Sequence, residues 1–305
     1  MSTSYQSEVG TLKRVVLKHV RDAFVNEKSI EAEWQVLGYL RRPDFAVALQ
    51  EYDGFVELLR SFGIEPLFLP RSDRVGLDSI YARDPAVVTD KGVILCNMGK
   101  KSRCGEPMAQ RLAYDAWGVS VCGDIRGKGR LEGGDVIWLD EYTLAVGQGY
   151  RTNGEGIRQL SEFVGPEVEV VTVPLPHFRG PSDVLHLMSM VSLIDNDLAL
   201  VYSPLMPVPF REMLIDRQIK LVEVPENEYD ALGCNVLTVS PRVCVVAEGS
   251  PDTRRLMEAQ GVEIHPFRAS EICLTGSGGP TCLARTLERD EQRHISKKYL
   301  SDGWH

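Results

Sequence analysis

VVTDKGVIL, residues 87–95, is an apolar run, a short polar turn at Asp90-Lys91 and a second apolar run, the pattern of a β-hairpin. The same pattern returns as VIWLDEYTLAV (136–146), turning at Asp140-Glu141, as SLIDNDLALVY (192–202), turning at Asp195-Asn196, and as VLTVSPRVCVV (236–246), turning at Ser240-Pro241. Successive turns fall 45 to 55 residues apart. A period of that size marks an internally repeated architecture.

Between the hairpins the sequence repeats a second phrase. Helix-like stretches run over Phe45–Gly63, Glu106–Gly118, Asn153–Gly165, Pro207–Lys220 and Pro251–Gly261. In the first, Leu49, Tyr52, Val56, Leu59 and Phe62 share one helical face. Most of these stretches stop at glycine, the usual left-handed cap. Each then gives way to one extended run: IEPLFLP, VSVCGD, VEVVTVP, KLVEVP and VEIHPF. The unit is therefore hairpin, helix, strand, and the opening strand LKRVVLKHV (12–20) brings the count to five. One such unit cannot bury its own apolar face, so neighbours must share a core. The expected fold is a single α/β domain over residues 1–305, five ββαβ modules closed in a propeller with pseudo-fivefold symmetry. A doubly wound parallel sheet would require strict alternation of strand and helix, which the hairpins contradict. The polar segment Gln292–His305 reads as a loose tail.

Composition narrows the function. With 305 residues, 43% of them hydrophobic and 25% charged, the chain is an ordinary globular protein. The polar N-terminus lacks a leader pattern and no apolar run reaches membrane-spanning length, so a cytoplasmic location is expected, with no membrane partner. Seven cysteines, an odd number without a CxxC pair, sit mostly in apolar runs and read as reduced thiols. The six histidines show no HExxH spacing, so no metal is expected. A net charge of −9 argues against nucleic acid and favours a cationic ligand.

Loops at one end of the central strands would converge on the axis of such a ring, and four residues stand at suitable positions. Cys282 in GSGGPTCLARTL follows a flexible, close-approach glycine run and could be a nucleophile, although a buried core thiol fits the same pattern. His186 in SDVLHLMSMVSLIDND could move protons, or could be a satisfied core histidine. Glu132 in RLEGGDVIWLD and Asp84 in DSIYARDPAVV are carboxylates at strand entrances. A turn residue and a plain ion pair of Asp84 with Arg83 are the alternatives.

The ordered segments RDPAVV, LEGGDV, RTNGEG, DVLHLMS and GGPTCL resemble the guanidino-group-modifying enzymes, which include dimethylargininases, arginine and agmatine deiminases and amidinotransferases. The resemblance runs from KRVVLKHV to LARTL and implies the five-module propeller of that superfamily, the pentein fold. It also implies roles: Cys282 as nucleophile, His186 as general acid and base, and Asp84 and Glu132 as carboxylates that grip a guanidinium. Arg103 and Arg151 match arginines that bind the substrate α-carboxylate, and Asp78 a further acidic contact. No cofactor is implied, and the partner is a small guanidino substrate. Length and the two arginines look closest to dimethylarginine dimethylaminohydrolase-like members. Arg83 departs from them, since RDP is more like the deiminases and amidinotransferases. The implied reaction is hydrolysis of arginine or a methylated arginine to citrulline and an amine through a Cys-thiouronium. The alternatives are an arginine deiminase or dihydrolase, an amidinotransferase, or a non-catalytic binding protein of the same fold. Oligomeric state, a homo-oligomer included, is left open.

Overall fold

A computed structural model describes residues 6–183 and 185–290, so the expected tail from Gln292 onward lies outside the described residues. All four hairpins form, and each is extended by a parallel third strand. β1 (Leu12–Leu17) is followed by helices α1 (Val20–Ala23), α2 (Glu27–Leu37) and α3 (Phe45–Ser61), then β2 (Glu65–Phe68). The second unit is β3 (Ala86–Thr89), β4 (Gly92–Leu95), α4 (Glu106–Trp117) and β5 (Val121–Asp124). The third is β6 (Val136–Asp140), β7 (Thr143–Gln148), α5 (Gly154–Val164) and β8 (Glu169–Pro174). The fourth is β9 (Val191–Asp195), β10 (Leu198–Val201), α6 (Val208–Asp216) and β11 (Lys220–Glu223), followed by α7 (Glu226–Tyr229). The last is β12 (Val236–Ser240), β13 (Val243–Ala247), α8 (Pro251–Glu258) and β14 (Glu263–Phe267), after which come α9 (Pro280–Leu283) and β15 (Arg285–Arg289).

In each sheet the first two strands are antiparallel and the third parallel to the second. The first sheet obeys this pattern only with help from the other end of the chain. β15 pairs antiparallel with β1, with Val16 opposite Arg285 and Leu12 opposite Arg289, and β1 pairs parallel with β2. The fifth copy, read from one opening strand, is thus completed by the C-terminal strand RTLER.

Residues alternate between faces of a strand, and here both faces are buried. Val16, Ala86, Val93 and Leu287 join the first sheet to the second, and Val87, Ile94, Val136 and Leu144 join the second to the third. Ile137, Ala145, Val191 and Ala199 join the third to the fourth, and Ile194, Leu198, Val236 and Cys244 the fourth to the fifth. Val15, Leu17, Leu237 and Val245 then join the fifth sheet back to the first. This explains why the hairpin strands read as continuous apolar runs rather than as alternating ones.

The helices end close to their expected limits. α3 starts at an Asp44 cap that accepts from Val47 N–H, and α4 stops at Gly118 with φ 68°. One stretch is shorter than expected: α6 ends at Asp216, because Gln218 takes a left-handed turn (φ 62°) and Lys220 already pairs in β11. All seven cysteines are free, with Cys96, Cys234, Cys244 and Cys273 buried but Cys104 and Cys122 exposed. Among the described residues no helix is long and apolar enough to cross a membrane.

Leu287 is the residue of β15 that enters the core shared by the first two sheets. Leu287→Ala should therefore cost about 2–5 kcal/mol in urea unfolding. A much smaller loss would mean that β15 is not part of the cooperative core.

Candidate active site

Asp84, Glu132 and His186 lie one turn or less ahead of β3, β6 and β9, the first strands of three different sheets, and Cys282 lies ahead of β15. The sheets bring the first three together: one side-chain donor atom from each lies within 4.8 Å of the others, and all three residues are buried. Cys282 joins them through the backbone, since Arg83 N–H donates to the Cys282 carbonyl at 3.2 Å.

Glu132 is completely buried. His186 Nε2 lies 2.8 Å from its Oε2, Arg151 Nη1 lies 3.1 Å from the same oxygen, and Lys100 N–H donates to Oε1 at 2.9 Å. Burial opposes its charge, but the hydrogen bond and charge of His186, with Arg151 and Arg103, hold its pKa well below the usual carboxylate range. Burial likewise opposes charge on His186. Asp135, Asp84 and Glu132 outweigh it and raise the imidazole to about 9. Gly134 makes room for the ring: a Cβ there would lie 2.5 Å from His186 Nδ1. Asp135, pushed up to about 6 by burial, accepts from Leu187 N–H at 3.0 Å and fixes the chain just after His186.

Asp84 pairs with Arg103, not with its sequence neighbour Arg83, which turns the other way to Glu8 (2.8 Å). Arg103 is itself buried. Its Nε and Nη2 hold Glu106 at 2.9 and 2.8 Å, Nη2 also donates to Tyr81 O at 2.9 Å, and Nη1 meets Asp84. Its guanidinium is thus largely committed to protein partners. Arg151 has one such partner, Glu132. Asp78 is buried and lies 2.7 Å from Lys100 Nζ.

Cys282 sits in α9, partly buried. Burial raises its thiol pKa and the charge of Asp84 adds to the rise. The glycine run before it makes the close approach that the sequence suggested. Gly278 packs on Tyr81, where a Cβ would lie 2.4 Å from Cε1, so glycine serves close approach. Upstream, the carboxylate of Glu51 in α3 accepts from Ser270, Glu271 and Ile272 N–H at 2.9, 2.8 and 3.2 Å, tying down the turn that leads to the loop. Tyr81, Glu106 and Glu51 went unrecognised in the sequence, where nothing local marks them.

Two carboxylates and an imidazole this close could hold a cation. A metal ion would require a neutral imidazole with a free lone pair. With the imidazole raised to about 9, a metal ion would have to displace its proton, whereas an organic cation could be held by the carboxylates through charge and hydrogen bonds.

The chain as a whole is similar to several known proteins. The family described as N,N dimethylarginine dimethylhydrolase, eukaryotic, matches residues 42–287. The N(G),N(G)-dimethylarginine dimethylaminohydrolase of Streptomyces coelicolor is 31% identical over 76% of this chain and 85% of its own. The structure of that enzyme from Pseudomonas aeruginosa, complexed with citrulline, superimposes with a TM-score of 0.70 at 21% identity, over 90% of this chain and 98% of the other. An amidinotransferase of saxitoxin biosynthesis from Microseira wollei superimposes with a TM-score of 0.76 at 16% identity, over 95% and 98% of the two chains.

The charged state of His186 sets a pH dependence. Its folded pKa is raised from the ordinary 6.5 to about 9, so its contribution to stability is complete below about pH 6.5 and is lost as pH rises through about 9. The urea midpoint of the native protein minus that of His186→Gln should therefore fall between pH 6.5 and 9. A difference independent of pH would show that the buried carboxylates do not hold the imidazole charged.

Proposed function

The chain belongs to the dimethylarginine dimethylaminohydrolase family, and on that footing we propose that it is a hydrolase of arginine or a methylated arginine, with Cys282 as nucleophile. The observation that carries this reading is that buried Asp84, Glu132 and His186 offer donor atoms within 4.8 Å of one another, and that the charge of Asp84 acts on the partly buried Cys282 thiol. On the same reading the five sheets close as a pentein propeller of one domain. The shared cores that lead from sheet to sheet and back to the first support it.

A guanidinium is planar and resonance-stabilised, so it must be held and polarised before its central carbon accepts a nucleophile. Asp84 and Glu132 supply opposite charge and paired acceptors that fix its plane. In the unliganded site the thiol is neutral, because burial and Asp84 disfavour the thiolate. An arriving guanidinium neutralises Asp84 and lowers the thiol pKa, so the thiol releases its proton to solvent and the nucleophile is generated only when there is substrate to attack. The sulfur adds to the guanidinium carbon and forms a C–S bond. His186 then protonates the departing amine as its C–N bond breaks, leaving a thiouronium on Cys282. The neutral imidazole next takes a proton from water, whose oxygen adds to the same carbon. The C–S bond breaks as the added oxygen passes its remaining proton to the departing thiolate, releasing citrulline and the Cys282 thiol. No step of this sequence needs a cofactor.

Arg151 is the arginine we assign to the substrate α-carboxylate, with Asp78 and Lys100 nearby for the amino acid end. Arg103, committed to Glu106 and Tyr81, is assigned instead to orienting Asp84. A second reading, amidino transfer to an amine, draws on the Arg83-Asp84-Pro85 sequence and on the likeness to the Microseira wollei fold.

Incubation with asymmetric dimethylarginine, monomethylarginine and arginine, with products identified by mass, separates the readings. Hydrolysis predicts citrulline plus dimethylamine, methylamine or ammonia. Ornithine together with an amidinated acceptor amine would favour transfer. Cys282→Ser should lower turnover by about 10³-fold or more. Retention of full activity in that variant would refute the nucleophile.

A further inference from the structure

Each of four sheets contributes one site residue ahead of its first strand: Asp84 before β3, Glu132 before β6, His186 before β9 and Cys282 before β15. At the equivalent place in the remaining sheet, immediately before β12, stands Asn235, buried to 7% exposure.

Its side chain is fixed from both ends. Oδ1 accepts from Thr281 N–H at 3.1 Å and from Thr281 Oγ1 at 2.8 Å. A backbone N–H can only donate, so this contact decides which end of the amide is oxygen. The Nδ2 donor is thereby turned to the Cys282 sulfur, 3.4 Å away. Gly279 packs flat on the amide, where a Cβ would come within 2.4 Å of Asn235 Cγ. The backbone is held as well, since Ser192 Oγ donates to Cys234 O at 2.8 Å and accepts from Val236 N–H at 3.3 Å.

We propose that Asn235 is a positioning residue for the nucleophile, its anchored carboxamide donating one N–H to Cys282 Sγ so that the thiolate is stabilised and held in a single orientation. The inference rests on Cys282 being the nucleophile. Around the sulfur, burial and Asp84 oppose ionisation, while Asn235, Thr281 and the Gly279 backbone favour it. His186, Glu132 and Arg103 are the charged groups that face Asp84. A donor aimed at sulfur is worth more to the anion than to the thiol.

The test reads the thiol directly and needs no substrate: the rate of iodoacetamide alkylation at Cys282, resolved from the other cysteines by peptide mass, measured against pH. Asn235→Asp keeps the shape and the acceptor for Thr281 but replaces the donor with a carboxylate. Its alkylation midpoint should rise by about one pH unit or more. Thr281→Val leaves Asn235 in place but removes both one anchor and the hydroxyl's own 3.9 Å contact with Cys282 Sγ, and should shift the midpoint the same way by less. Unchanged midpoints in both variants would overturn the proposal. If Asn235→Asp does not fold, the midpoint of Asn235→Ala, which removes the donor without adding a charge, decides instead: a rise supports the proposal and an unchanged value overturns it. Citrulline formation by the native protein is measured separately, so a failure of the hydrolase reading is distinguishable from a failure of this one.

Discussion

Glu132 is the group on which the rest of the site depends. A carboxylate with no exposure to solvent is tolerated only when each oxygen is compensated, and here its partners come from separate parts of the chain: the imidazole of His186, the guanidinium of Arg151 and the backbone of Lys100. That demand fixes the orientation of the imidazole and, together with Asp135 and Asp84, favours its charged form. Asp84, on the neighbouring sheet, is compensated at one oxygen: Arg103, with Glu106 behind it, meets Oδ2, while Oδ1 has no hydrogen-bond partner among the described residues and stands 4.0 Å from His186 Nδ1. Removing Arg103 would leave two buried carboxylates without their partner, at a cost of about 3–5 kcal/mol. A penalty of that size exceeds the worth of one exposed contact to a substrate carboxylate, which is why structural support is the stronger account of Arg103.

The resulting charge pattern has a chemical consequence. Carboxylates favour the charged form of His186, while burial, with Asp84, disfavours the Cys282 thiolate; on the proposed reading the unliganded site is a poor nucleophile and a ready proton donor. On that reading, binding of a planar cation would reverse the first property without disturbing the second. The two conditions for amine expulsion, a thiolate and an acid, would then be met together only with substrate in place.

How much of this was legible in the sequence follows from the range of each interaction. The hairpins and helices are local, and their repeat gave the five units and the entrances where Asp84, Glu132, His186 and Cys282 stand. The closure by β15 was less visible, since Val16 and Arg285 are paired across nearly the whole chain. Arg103 and Arg151 look like surface charges by residue type and were singled out only by resemblance. Arg83 appeared to be the natural partner of Asp84, yet adjacent residues at a strand entrance point to opposite faces and it pairs with Glu8 instead. Asn235, Glu51 and Tyr81 act through contacts far away in sequence, to Thr281, to the 270–272 turn and to Gly278, and no local pattern distinguishes them. The repeat itself held the one usable signal, an unfilled fifth position ahead of β12.

The central claim is a covalent bond between Cys282 and the guanidinium carbon, and rapid acid quenching during turnover, followed by intact-protein and peptide mass measurement, tests it most directly. The account predicts a transient mass increase equal to that of the substrate less the amine released, confined to the peptide containing Cys282, and identical whether arginine or dimethylarginine is supplied. Citrulline formed with no such adduct, or an adduct mapped to another residue, would contradict it.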